Sequence, residues 1–300
     1  MRAVAALAVL DWHARGQAPW GAAGVDLFFV ISGLVIGKIA SGKSPLEFLA
    51  DRAWRIFPPY WIAAIPWFFF AAWGGALTVG GVLSSLTLWP WWPKFAWPYL
   101  PAAWTLMFEM LFYVAAALSI RMRAPRTLVI LALVLMGLNL LGAGQLIRFT
   151  GCALIAEFLM GLLIGRLQPS RSVAAALVPL AILLLWLSPA SYFVGTGGLS
   201  ALRVLYWGLP AAAIVYSGLA FEKLFAGPWA RLPLFMGNAS YALYLTHLTV
   251  LQFATGLVPL LKIVLCITVG AAFHVWIERP ILQKRVKLPR PKTRTEPLAA

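Results

Sequence analysis

MRAVAALAVLDWHARGQAPWGAAGVDLFFVISGLVIGKIA, residues 1–40, decides how this chain is read. Two apolar runs flank a short GQAPWG break at 16–21, and each is close to the length a helix needs to cross hydrocarbon. Their polar residues are few: Arg2, Asp11, His13 and Arg15 in the first run, Asp26, Ser32 and Lys38 in the second. Arg2 and His13 stand eleven residues apart. At about 100° per residue they return to within roughly 20° of one direction, so a helix places both on one face, about 16 Å apart along its axis. The spacing predicts a cation at the water edge and an imidazole inside the bilayer.

The same texture runs through the whole chain. Of 300 residues, 62% are apolar and 11% charged, which excludes an ordinary soluble domain. Ten spans are predicted at about 2–19, 22–40, 56–76, 102–120, 127–144, 149–165, 173–190, 201–220, 237–256 and 260–278. The expected fold is all-α, a polytopic helical membrane bundle, since lipid-facing sheet edges would leave peptide groups unpaired. One membrane domain fills residues 1–282, and 283–300 form a basic tail, read as disordered. The segment 79–101 is too rich in Pro and Trp for a span; it reads as an interfacial or re-entrant hairpin that helps to shape a groove. Cys152 and Cys266 fall inside spans with no metal spacing and read as small packing residues; no metal site is expected.

The +15 net charge is explained by orientation. With both termini inside, only Arg15, Lys94, Arg148, Arg203 and Lys262 fall outside, and every other Lys and Arg lies on the cytoplasmic side. That bias argues against nucleic acid as the partner, and it suits a tail, from Gln283 onward, lying at an anionic leaflet. No cleavable signal segment is read at the start, so the first span is expected to stay in the protein.

Ionisable residues inside spans are then the candidates for chemistry, because each is unfavourable there unless paired or hydrated. Asp11 with Arg15 and His274 with Glu278 have i, i+4 spacing and read as local pairs. Glu157 has no partner nearby in sequence. His13 also lacks a local partner, since Asp11 points some 160° away from it, and function outweighs a packing role. Glu109, in WTLMFEMLFY (104–113), has Thr105 at i−4 and Tyr113 at i+4, so both hydroxyls can face its carboxylate. Arg52 and Arg55 read either as ordinary inside arginines or as a phosphate-binding fork. Ser240, Tyr244 and His247 share one face of the ninth span, lining an acceptor path or bonding to neighbouring helices.

Taken in order, Arg2 with His13, GVDLFFVISG (24–33), FLADRAWRIFPPYW (48–61), WTLMFEMLFY, GNASYALYLTH (237–247) and WIERP (276–280) resemble the acyltransferase-3 family of bacterial membrane O-acyltransferases. The style is most like the exopolysaccharide, succinoglycan-type O-acetyltransferases within it, and the resemblance covers residues 2–280. It implies catalysis at His13, donor use by Arg2, coenzyme A binding by Arg52 and Arg55, and functional weight for Asp26 and Glu109. Chains of that family usually carry a short leader before the arginine, whereas here Arg2 follows Met1. Two readings follow: either the true start lies upstream of this Met1, or the first helix begins at the interface with the terminal amine beside Arg2. No room is seen for the fused extracytoplasmic domain of some members.

The expected function is transfer of an acetyl or other acyl group from cytoplasmic acyl-CoA to a hydroxyl of an extracytoplasmic or lipid-linked glycan, in the bacterial cytoplasmic membrane. His13 is general base or acyl carrier, and Asp26 or Glu109 orients it. Ser32, Tyr244 and His247 are candidates for the acceptor path; Ser32, Thr105 or an amide near Gly33 for stabilising the oxyanion. Acyl-CoA is a substrate, and no permanently bound cofactor is expected; the partners are acyl-CoA, the glycan and membrane lipids. The competing reading is a transporter or flippase for a glycan intermediate, which predicts no coenzyme A dependence and an internal repeat, and no convincing repeat is seen.

Overall fold

A computed structural model describes residues 1–16, 19–40, 42–91, 96–122, 125–141, 149–150, 152–189, 201–225 and 227–284. The expected basic tail from Arg285 onward, and Lys94, Arg123 and Arg148 of the charge pattern, lie outside the described residues. Among the described residues every regular element is helical and no strand occurs.

Local chemistry sets the helix ends. α1 (Arg2–Arg15) stops at Gly16, whose φ of 66° lets its N–H turn back to the Trp12 carbonyl. A 3₁₀ turn, Pro19–Ala23, leads into α2 (Gly24–Ile39). α3 (Pro45–Trp73) starts with a strong signal: Ser44 caps the Glu47 N–H and Pro45 occupies the first turn. It continues through Pro58, Pro59 and Pro66, as helices in apolar surroundings do. α4 (Val79–Thr87) is a nine-residue helix capped by Thr78, and a 3₁₀ turn at Pro101–Ala103 precedes the next helix. Within 79–101 the described residues, 79–91 and 96–101, hold this short helix, and they are tied together by the Ser84 hydroxyl donating to the Trp89 carbonyl and the Tyr99 N–H donating to the Ser85 hydroxyl.

The second half continues with α5 (Trp104–Met122), α6 (Pro125–Leu140), α7 (Leu154–Ile164) and α8 (Arg171–Trp186). Ala201–Arg203 passes through a π-helical turn, Val204–Gly208, into α9 (Leu209–Ala220). α10 (Arg231–Asn238) and α11 (Ser240–Phe253) follow, then α12 (Pro259–Phe273), a second π turn at His274–Glu278, and α13 (Arg279–Gln283).

A helix overlaps each of the ten expected spans. Among the described residues four helices are long and apolar enough to cross a membrane: Trp20–Ile39, Pro45–Trp73, Pro101–Met122 and Pro259–Gln283. The others are shorter; α1, ended by Gly16, has only 14 residues. Large apolar side chains such as Phe69, Trp73, Ile182, Trp186, Leu260 and Trp276 stand exposed on the outside. Such a surface suits lipid rather than water, and the chain is a membrane protein.

α2 is the hub. It packs most extensively on α7 and also meets α1, α5 and α9, while α11 packs on α12, α1 and α3. Gly33 and Gly161 set the α2–α7 spacing: a methyl on Gly33 would fall 2.0 Å from the Phe158 carbonyl oxygen, and one on Gly161 would fall 2.0 Å from that of Val30. Gly33 therefore admits a neighbouring backbone, a steric role distinct from the oxyanion role considered for the amides near it. Gly33→Ala and Gly161→Ala are each expected to lower stability by about 1–3 kcal/mol or more, as overpacking does. The unfolding midpoint in detergent reads this out, and an unmoved midpoint in both variants contradicts it.

Candidate active site

Five elements bring the candidate residues together: α1 carries Arg2 and His13, α2 carries Asp26 and Ser32, α3 carries Arg52 and Arg55, α5 carries Thr105, Glu109 and Tyr113, and α11 carries Ser240, Tyr244 and His247. Two cavities follow the α1 face. The larger, about 610 Å³, lies at the His13 end; His13, His247, Tyr244, Arg203 and the indoles of Trp12, Trp97 and Trp104 are among its walls. The smaller, about 50 Å³, lies at the Arg2 end, against Arg2, Ser32, Glu109, Ser240 and Tyr241. Val25 and Tyr244 line both. Arg2 and His13 thus open into adjoining spaces, as their eleven-residue spacing predicts.

His13 is half-buried, and its Nδ1 lies 2.9 Å from the Val9 carbonyl oxygen one turn earlier. A carbonyl only accepts, so Nδ1 carries the proton and Nε2 keeps a lone pair for chemistry. Orientation, expected from Asp26 or Glu109, comes instead from the backbone of the same helix. Asp26 is fully buried, and both its oxygens are held by Arg203: Nε at 2.8 Å and Nη2 at 2.7 Å. The Arg203 guanidinium also lies 4.7 Å from the Trp207 ring centre. Glu109 accepts from the Tyr113 hydroxyl at 2.5 Å, as its spacing allows. Thr105 does not join it; its hydroxyl sits 2.9 Å from that of Tyr244 and donates to the Ala102 carbonyl at 3.1 Å. An i, i+4 spacing permits a contact, and here a tyrosine on another helix competes successfully for the threonine.

At the Arg2 end three cations gather with no ion pair among the described residues. Arg2 and Arg52 each have a buried Nε without a hydrogen-bond partner, and Arg52 lies 6.0 Å from the Tyr113 ring centre. Arg55 and Arg2 are close enough to repel, and Glu109 and Glu278 partly offset them. These guanidiniums are only partly exposed, unlike ordinary charges at a membrane edge.

The local pairs read from spacing form: Arg15 with Asp11 at 2.5 Å and His274 with Glu278 at 2.6 Å. Lys43 pairs with Asp51. Glu157 is fully buried beside Asp26 and Arg203, and neither of its oxygens has a hydrogen-bond partner among the described residues. Cys152 and Cys266 are buried and free. Among the described residues no group of three acidic, His or Cys side chains converges as a metal site.

Sequence reasoning missed Arg203, which it placed outside as an ordinary cation. The signal was present in Asp26, because a carboxylate within a span demands a cation, and Arg203 opens a span. Ser240, Tyr244 and His247 do line the two cavities in succession, with His247 at the His13 end.

The acyltransferase-3 family model, described as an acyltransferase domain, matches residues 1–277. The chain is 33% identical, over an alignment of 309 positions, to the exopolysaccharide production protein ExoZ of Rhizobium meliloti (strain 1021), covering 88% of this chain and 90% of that protein. No solved structure matches.

Proposed function

The chain belongs to the acyltransferase-3 family and is an acyltransferase, and from that premise we propose that it moves an acyl group, acetyl first among candidates, from cytoplasmic acyl-CoA to a hydroxyl of an extracytoplasmic or lipid-linked glycan. The ExoZ similarity supports an exopolysaccharide acceptor. The protein sits in the bacterial cytoplasmic membrane as a multi-pass bundle of ten spans with both termini inside, so that the Arg2 end faces the cytoplasm.

The observation that carries this reading is the unpaired cluster of Arg2, Arg52 and Arg55 at one end of a passage whose other end holds His13. Three partly buried guanidiniums without a salt bridge among the described residues, offset only in part by Glu109 and Glu278, call for an anionic ligand, and their forked donors suit phosphate. Arg52, Arg55 and Arg2 take the phosphates of acyl-CoA. The thiol-ended arm runs past Tyr244 toward His13, and because the inner cavity holds only about 50 Å³, donor binding widens the passage between α2, α5 and α11.

At the far end His13 Nε2 removes the acceptor hydroxyl proton as the oxygen attacks the thioester carbonyl. The tetrahedral intermediate collapses with cleavage of the C–S bond, and the imidazolium returns the proton to the thiolate, releasing coenzyme A and the ester. The Val9 carbonyl holds Nδ1–H throughout, so the ring stays aligned in both protonation states.

Arg52→Ala with Arg55→Ala is expected to weaken acetyl-CoA binding by about 100-fold or more, since two charge-assisted hydrogen bonds at the low end of about 1.5–3 kcal/mol each already amount to about 3 kcal/mol. Calorimetric titration of the purified protein measures it. The loss should appear chiefly in KM, and binding should weaken further with salt. No acetyl-CoA binding by folded wild type sinks the donor site and favours the transport reading.

A further inference from the structure

His13 and His247 share a feature that the reaction above uses only once. Each turns Nδ1 to a carbonyl of its own helix: His13 to Val9 at 2.9 Å, His247 to Tyr244 at 2.7 Å. Each therefore keeps its proton on Nδ1 and presents Nε2 as a bare acceptor. His247 is only 2% exposed, and its Nε2 is buried without a hydrogen-bond partner among the described residues. The two rings stand 5.0 Å apart, centre to centre, tilted by 57°, and both line the larger cavity.

Nearby protein groups do not complete this arrangement. The Tyr244 hydroxyl is engaged with the Ala102 carbonyl and the Thr105 hydroxyl, and the Asp26 carboxylate holds the Arg203 guanidinium. Two neighbouring acceptors without a donor between them are matched by a ligand that brings donors, since a buried acceptor left unmade is unfavourable. Trp12, Trp97 and Trp104 add apolar faces suited to the C–H face of a ring. Hydroxyls on adjacent carbons of a six-membered ring lie about one hydrogen-bond length apart, so they can donate side by side to two neighbouring imidazoles.

We propose that His247 is a specificity-determining residue: its Nε2 accepts a hydrogen bond from the hydroxyl adjacent to the one that His13 deprotonates, so the site selects vicinal diols over isolated alcohols. This rests on the acyltransferase reading and adds a second anchoring point to it. Tyr244 sets that anchor, because its carbonyl fixes the His247 tautomer.

The test uses the full chain in detergent with three probes: cyclohexanol, a trans vicinal cyclohexanediol and methyl β-glucopyranoside. Saturation-transfer NMR reads their binding without any acyl donor, and coenzyme A release from acetyl-CoA reads their use as acceptors. The diol and the glycoside are expected to bind, and to exceed cyclohexanol in kcat/KM by tenfold or more. His247→Phe should abolish that preference, whereas His247→Gln, whose amide oxygen replaces the Nε2 acceptor, should recover part of it. Equal use of cyclohexanol and diol by wild type, survival of the preference in folded His247→Phe, or no binding of any probe each overturns the proposal. Wild type that binds the diols selectively but releases no coenzyme A overturns the acyl-CoA reading, while the binding preference still supports the two-point site.

Discussion

Replacing His13 with alanine is expected to lower coenzyme A release from acetyl-CoA by about 10²- to 10⁴-fold, the usual contribution of a positioned proton-transfer group. Donor binding should change far less, because His13 lines the larger cavity and the arginine cluster lies at the other end of α1. The geometry makes this a demanding prediction. No carboxylate is bonded to the His13 ring among the described residues; the Val9 carbonyl alone fixes the tautomer. The neutral carbonyl orients the imidazole without adding a fixed negative charge to an apolar site. If the fully folded variant kept more than about a tenth of wild-type turnover, Nε2 would not be the base and the proposed chemistry would fall. A thiol reagent following coenzyme A release gives the rate, and calorimetry on the same sample gives the donor affinity.

What the sequence could reveal follows from the physics of the helix. Period and spacing place residues on faces, so Arg2 with His13, the pairs Asp11–Arg15 and His274–Glu278, and the Ser240, Tyr244, His247 stripe were all legible. Partners supplied by another helix were not. Asp26 and Arg203 meet across 177 residues of chain, and nothing in either local pattern specifies that pairing. Thr105 shows the same limit, because Tyr244, 139 residues away, takes the hydroxyl that spacing alone offered to Glu109. The orienting group for His13 was hidden for another reason: backbone carbonyls are present at every position, and only a side-chain rotamer selects one. Gly33 is hidden by both effects, since its role is defined by the Phe158 backbone of a helix more than a hundred residues later.

The buried Asp26–Arg203 pair carries the other large expected effect. Asp26→Ala leaves a guanidinium, itself only 4% exposed, without its two-point partner. Removing one member of a buried pair typically destabilises by about 3–5 kcal/mol, because the remaining charge is uncompensated. Glu157, packed against Gly208 beside the pair, makes no hydrogen bond to Arg203. Asp26→Leu combined with Arg203→Met removes both charges at similar volume and should restore most of the lost stability, as apolar replacement of a buried pair often does. Turnover should not return with it, because Arg203 walls the cavity that holds His13 and His247, and methionine offers neither its charge nor its planar donors. Unfolding curves in mixed detergent separate stability from rate. A single Asp26→Ala variant as stable as wild type would show the pair to be dispensable to the fold. Full activity in the double variant would reduce Arg203 to a structural counter-ion, leaving the acceptor cavity to the two imidazoles and the indoles.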